Sequence, residues 1–143
     1  MKCYEGGEIG KVIMLELERG DDIFEEVEKA LEMAGIKDAY IASAVGSVEH
    51  LEYHRPTDMG VATADEMLSL EGPFELGGIT GTVIDGAAHF HFTAGGVSGN
   101  HIGHLERGTK VLYLLELVVT EIKGFHLVRK MTEEKVNKLF PVK

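Results

Sequence analysis

Four of the seven histidines in this 143-residue chain lie within one stretch, AAHFHFTAGGVSGNHIGHLERG, at residues 87–108. His89 and His91 are separated by one phenylalanine, and in a β-strand such alternate residues project from the same face. Their Cα atoms would lie roughly 6.6 Å apart at a rise of about 3.3 Å per residue. Two imidazoles at that spacing can bind one metal ion at about 2.0–2.1 Å from each nitrogen. The pattern therefore predicts part of a metal site, against the alternative of unrelated surface histidines.

A third ligand has to come from beyond the glycine-rich turn that follows this strand. Of the two histidines there, we predict His104, because Gly103 allows an unusual backbone angle and Leu105 can pack inward. We expect His101, beside Asn100 near the turn, to be exposed. Three neutral imidazoles suit zinc or another divalent transition metal, whereas magnesium and calcium prefer oxygen ligands.

Three protein ligands would leave a fourth position open to water or to a small-molecule ligand. Because zinc can lower the pKa of its bound water to about 7, the enzymatic interpretation is metal-assisted hydrolysis or hydration, with that water as nucleophile. Glu75 in PFELGG is then the candidate catalytic proton carrier, its alternative being a surface charge. Glu116, within VLYLLELVV, faces a wet pocket, a subunit contact or the exposed side of the sheet, because an unpaired buried charge is costly. Ser43 either lines the pocket or serves packing.

The elements that must position these residues form a mainly antiparallel sheet with one main helix. Residues 21–35 carry apolar side chains at helical spacing, with Asp22 as the N-cap and Gly35 as the stop. Alternating or apolar stretches predict strands over 11–20, 38–54 (as one or two strands), 67–85 (as two strands), 87–94, 110–122 and 125–130. The segment TEEKVNKLF predicts a short C-terminal helix that begins at Thr132. We therefore expect a single α+β domain over residues 1–143.

The overall charge limits the partners of the chain. Fourteen basic and 24 acidic residues give a formal net charge of −10, so we do not expect direct nucleic-acid binding, because a phosphate backbone would be repelled. No apolar stretch reaches the roughly 18 residues of a membrane span. One cysteine and the absence of an apolar leader at the start indicate a cytoplasmic protein.

The order of these motifs resembles that of the plants and prokaryotes conserved (PPC) domain family. The likeness covers nearly the whole chain: the helix RGDDIFEEVEKALEMAGI, the strand AYIASAVGSVEHLEY, the segment EGPFELGGITGTV, the H-x-H strand, GHLERG and VLYLLELVV. The family's later motif usually reads G-G-H-L, and Ile102 replaces its first glycine here. The resemblance implies a compact α+β homotrimer in which His89, His91 and His104 are metal ligands, with zinc as the first candidate metal.

The resemblance also supplies a second interpretation. In plants the domain is joined to AT-hook segments that contact the DNA minor groove, and this chain contains no Arg-Gly-Arg-Pro hook. The alternative function is therefore a regulatory or DNA-associated module that acts through a partner, with the metal in a structural role.

Overall fold

Most of the chain forms antiparallel strands in the computed structural model, which describes residues 1–142. One helix and eight strands are present in that range. In chain order they are β1 (Glu8–Glu18), α1 (Ile23–Ala34), β2 (Ala39–Pro56), β3 (Asp65–Ile84), β4 (Ala87–Gly96), β5 (Gly99–Leu105), β6 (Lys110–Lys123), β7 (Leu127–Met131) and β8 (Asn137–Pro141).

Six of the strands form one curved sheet in the order β1-β6-β2-β3-β4-β5. The sheet curls until β5 also meets β2, through the pairs Tyr53–Leu105 and His54–His104. The fully buried Phe90 belongs to the inner face of β4, and its ring centroid lies 5.1 Å from that of Phe24 in α1. The helix therefore packs against the inner face of the sheet, and the outer face of β4 stays open.

The main helix is confirmed, with both of its predicted ends. The carboxylate of Asp22 accepts hydrogen bonds from the backbone N–H groups of Phe24 and Glu25, which the first helical turn leaves without partners. Gly35 ends the helix in the left-handed conformation, at φ 69°. The apolar side chains between these ends face the core.

The prediction of an α+β fold with a second, C-terminal helix is wrong. Strand makes up 64% of the structure and helix 8%, so the fold is mainly β. The segment after Thr132 turns back, because the Thr132 hydroxyl and N–H both donate to the Val136 carbonyl and Lys135 adopts a φ of 60°. A helix of about nine residues that ends at a proline has little intrinsic stability, whereas β8 gains a ladder of hydrogen bonds with β7.

One other expectation about the strands changes. The region predicted as two strands around Gly72–Pro73 is one continuous strand, β3, in which Gly72 and Pro73 form a bulge opposite Glu49 of β2. None of residues 1–142 belongs to a helix with the length and apolar character that a membrane crossing requires.

Candidate metal centre

Three histidines form a row across the outer face of adjacent strands. His54 in β2 pairs with His104 in β5, and His104 pairs with His91 in β4. His89 lies two residues before His91 and therefore projects from the same face. Directly paired side chains in a sheet lie about 4.5–5.5 Å apart at their Cβ atoms. The register of the sheet thus assembles four imidazoles, which we call the histidine cluster.

The rings of the cluster are close enough to share one ion. The Nε2 atoms of His89 and His91 lie 3.2 Å apart, close to the separation of about 3.3 Å for two nitrogens bound to one tetrahedral zinc ion. The ring centroid of His104 lies 4.8 Å from that of His89 and 5.4 Å from that of His91. The three residues predicted from the sequence as ligands are therefore neighbours in space.

A carboxylate holds one side of the cluster. Oε1 of Glu106 lies 2.6 Å from Nδ1 of His54 and 3.5 Å from Nδ1 of His104. Nδ1 of His104 also lies 2.9 Å from the Leu105 carbonyl oxygen. When Nδ1 of a histidine donates its proton to such an oxygen, the lone pair is on Nε2, as in a metal-ligating histidine. A second group that could hold a metal ion has its ligand atoms within 4.8 Å of one another and consists of His54, His104 and Glu106.

The environment favours the neutral form of two of these imidazoles, His89 and His104. Burial, followed by the charges of His104 and Arg129, lowers the pKa of His89 to about 4. Burial, followed by the charge of His54, also lowers the pKa of His104. Only a neutral imidazole has a lone pair free for a metal. Because this donor set is mainly nitrogen, it fits a borderline transition metal better than magnesium or calcium.

Two glycines allow the strands to approach closely at the cluster. A Cβ on Gly103 would lie 2.6 Å from the His54 carbonyl oxygen and 2.8 Å from Cδ2 of Tyr53, and a Cβ on Gly81 would collide with the His89 carbonyl group. The sequence-based reason for Gly103, an unusual backbone angle, is wrong, because its φ is not positive. Leu105 is fully buried as predicted, which directs His104 to the outer face.

The histidine cluster opens into a cleft of about 790 Å³. One wall belongs to the β7–β8 hairpin, which contributes Arg129, Met131 and Lys135. Nη2 of Arg129 donates to Oγ1 of Thr82 at 2.7 Å, and Thr82 is the cross-strand partner of His89. A volume of this size is typical of small-molecule sites.

The other candidate residues lie outside this cleft. Glu75 is exposed and pairs with Gly95, four residues beyond His91 on β4, which corresponds to about 13 Å along the strand. Glu116 lies on the exposed side of the sheet, one of the three positions left open by its sequence context. Ser43 is also exposed, and none of these side chains lines the cleft.

Sequence reasoning missed His54 and Glu106. His54 follows the buried Tyr53 and therefore projects from the outer side of β2, where pairing with β5 brings it into the cluster. The prediction that His101 is exposed is wrong. Its ring packs edge-on against Phe74 at 5.2 Å, and its Nδ1 lies 3.1 Å from the Tyr53 hydroxyl oxygen.

Fold and site together define a class: a mainly β domain with a histidine cluster in an open cleft. The sequence profile of the Plants and Prokaryotes Conserved (PCC) domain matches residues 4–123. The chain belongs to this family, and the resemblance noted from its motifs is confirmed. Comparison with curated proteins gives no match.

Solved structures share the fold over nearly the whole chain. A plant- and prokaryote-conserved protein from Pyrococcus horikoshii has a TM-score of 0.82 at 20% identity, with 99% of each chain covered. A metal-containing protein from Archaeoglobus fulgidus has a TM-score of 0.78 at 27% identity, with 94% of this chain and 95% of that chain covered. A candidate DNA-binding protein from Bacteroides thetaiotaomicron has a TM-score of 0.74 at 15% identity, with 94% and 96% covered.

Proposed function

We propose that this protein binds one divalent transition metal ion, with zinc as the first candidate, through His89, His91 and His104. The observation that carries the proposal is the 3.2 Å separation of the Nε2 atoms of His89 and His91. Two unprotonated ring nitrogens repel each other at this distance, so the pair has to share either a proton or a cation. The metal-containing relative from Archaeoglobus fulgidus supports the cation.

The protein's own groups prepare the site. His104 presents Nε2, because its Nδ1 faces the Leu105 carbonyl oxygen and the carboxylate of Glu106. The lowered pKa of His89 keeps this ring available in the neutral range of pH. His54 stacks on His104 with ring centroids 4.4 Å apart and fixes its orientation. A bound ion would supply Lewis acidity at the wall of an open cleft.

Hydrolysis or hydration of a small molecule remains our candidate reaction, and Glu75 remains its candidate proton carrier. Within one chain, the partner of Glu75 on β4 is Gly95, four residues beyond His91, and Glu75 does not line the cleft. A role in the reaction therefore requires that Glu75 reach the cleft from a second copy of the chain.

The outer face of the β1–β6–β2 part of the sheet supports our proposal of a homotrimer. Met14, Val45 and Leu114 are 74%, 51% and 43% exposed, and such apolar surface is typical of a subunit contact. Between them, Glu16 and Glu116 are directly paired across two strands and form no ion pair within residues 1–142. Like charges in such a pair are destabilising, and a basic group from another copy would neutralise them.

Light scattering after size exclusion tests the assembly. The 15.6 kDa chain should elute at three times that mass, and elution at the mass of one chain would refute the trimer.

We also place the protein in the cytoplasm, which fits its exposed, unpaired Cys3.

Metal content tests the function. The protein should retain one equivalent of zinc after dialysis, His91→Ala should lose it, and His126→Ala, at an exposed position away from the cleft, should keep it. If His54→Ala removes the metal while His91→Ala retains it, the ligands are instead His54, His104 and Glu106. If none of the proteins retains a transition metal, the proposed function is wrong.

We do not extend the proposal to direct DNA binding. The net charge is −10, and the similarity to the candidate DNA-binding protein from Bacteroides thetaiotaomicron, at 15% identity, concerns the fold. A gel shift with duplex DNA at low salt should show no complex, because counterion release cannot offset the repulsion. A complex that weakens steeply with salt would contradict this expectation.

A further inference from the structure

Arg129 is a positive charge without a counter-ion. Its side chain is half-buried in the wall of the cleft, and within residues 1–142 no carboxylate lies within 4.0 Å of it. Its Nη2 atom donates to Thr82, while its Nε atom is buried and has no hydrogen-bond partner in the described part of the chain. Burying half of a guanidinium costs free energy when it has neither a counter-ion nor partners for all of its donors, and an anionic ligand would reduce this cost.

Arg129 lies beside one end of the candidate metal centre. Thr82, which accepts its hydrogen bond, is paired with His89 across β3 and β4. The guanidinium therefore lies at the His89 end of the histidine cluster, and Glu106 lies at the opposite end, beside His54. A ligand bound at the Arg129 end would have the cluster as its immediate neighbour.

Two further basic residues line the cleft. Lys135, in the turn of the β7–β8 hairpin, lines the cleft and forms no ion pair among residues 1–142. Arg55 also lines it but is paired with Glu66. Asp65 is the one carboxylate in the lining formed by the described residues. The cleft is thus locally positive in a chain whose net charge is −10.

We propose that the cleft binds a small anion, with its carboxylate or phosphate group on Arg129 and a second polar group directed at the histidine cluster. This inference rests on the proposed metal site only for that second group. A planar guanidinium binds both kinds of anion through two parallel hydrogen bonds, and the bond from Nη2 to Thr82 holds the guanidinium of Arg129 at the wall of the cleft. The acidic surface repels large polyanions, whereas the local positive charge and a cleft of about 790 Å³ admit a small one.

The hairpin residues that line the cleft lie outside the region that the family profile matches. Arg129, Met131 and Lys135 belong to the C-terminal hairpin, and the family profile ends at residue 123. The histidines lie within the matched region. We infer that the common domain carries the candidate metal centre and that the hairpin determines which anion reaches it.

Calorimetric titration with two probes, inorganic phosphate and succinate, tests this inference on the zinc-loaded protein. Wild type should bind at least one of them, and Arg129→Gln should weaken that binding about ten- to a hundredfold, the effect of losing a charge-assisted hydrogen-bond pair. Lys130→Gln is the matched control, because it removes the same charge from the neighbouring, exposed residue on the opposite face of β7. It should leave the affinity within about twofold of wild type.

The outcomes separate the two proposals. If wild type retains zinc but binds neither probe at millimolar concentration, or if Arg129→Gln and Lys130→Gln behave alike, the anion site is wrong and the metal site stands. If wild type retains no zinc, the metal site is wrong, and the same titration of the metal-free protein tests the anion site. Should Arg129→Gln fail to fold by circular dichroism, Lys135→Gln in the exposed turn replaces it, with weaker binding than Lys130→Gln as the expected result.

Discussion

Replacing Gly103 by alanine tests whether the close pairing of β5 with β2 positions the ligands of the metal centre. The added Cβ would lie 2.6 Å from the His54 carbonyl oxygen, about 0.8 Å inside the distance at which ordinary van der Waals contact begins. The obstacle is backbone, so β5 has to move away from β2 and weaken the pairing of His54 with His104. We expect a loss of about 1–3 kcal/mol in the free energy of unfolding, the usual cost of overpacking.

The same movement should weaken the metal site. A shift of this size exceeds the tolerance of about 0.5 Å within which a metal or catalytic constellation works. We therefore expect Gly103→Ala to lower zinc affinity about ten- to a hundredfold, measured by competition with a chromophoric chelator. The affinity should fall even under conditions in which circular dichroism shows the variant fully folded.

Gly95→Ala is the matched control for this experiment. Gly95 lies on β4, has no positive φ, and its added Cβ would meet only the Asn100 side-chain oxygen, at 2.9 Å, which can rotate away. Stability and affinity close to wild type are expected. If Gly103→Ala binds zinc as tightly as Gly95→Ala does, the pairing of β2 with β5 does not position the ligands.

Three further results are expected. Asp22→Ala should lower the free energy of unfolding by about 1–2 kcal/mol in urea denaturation, because it removes the cap of α1, whereas an unchanged midpoint would show that the cap is dispensable. Glu106→Ala should reduce zinc affinity about ten- to a hundredfold without changing the one-to-one stoichiometry; loss of the stoichiometry would make Glu106 a ligand. His50 should titrate above 6.5 by NMR, since its hydrogen bond to Glu52 raises its pKa more than burial lowers it, and Glu71→Gln should move the value back down. The stabilisation from this raised pKa is complete below pH 6.5 and is lost as the pH rises through the folded-state pKa. A measured pKa of His50 below 6.5 would contradict the expected effect of the Glu52 hydrogen bond.

Local signals in the sequence predicted much of the fold. The cap at Asp22 and the stop at Gly35 define α1 through contacts within a few residues, so both could be inferred without the tertiary structure. The C-terminal hairpin could not. Thr132 is a good cap for a helix, but its hydroxyl and N–H bond instead to the Val136 carbonyl, and pairing with β7 outweighs the propensity of a short helix.

The candidate site was predictable only in part, for the same reason. His89 and His91 share a face through the simple alternation of one strand, and the inward packing of Leu105 directs His104. His54 joins them through a pairing with β5 that lies 50 residues away in the chain and depends on how far the sheet curls. Arg129 reaches the cleft from a hairpin whose existence the sequence did not reveal.

X-ray absorption at the zinc K-edge of the protein loaded with one equivalent of zinc tests the central claim most directly. The arrangement of His89, His91 and His104 predicts a first shell dominated by imidazole nitrogens at about 2.0–2.1 Å, with the outer-ring scattering that imidazoles produce. Substitution of His91 by alanine should remove one imidazole from that shell or abolish binding. A shell made of oxygen atoms alone, or one that His91→Ala leaves unchanged, would contradict a metal centre built on these histidines.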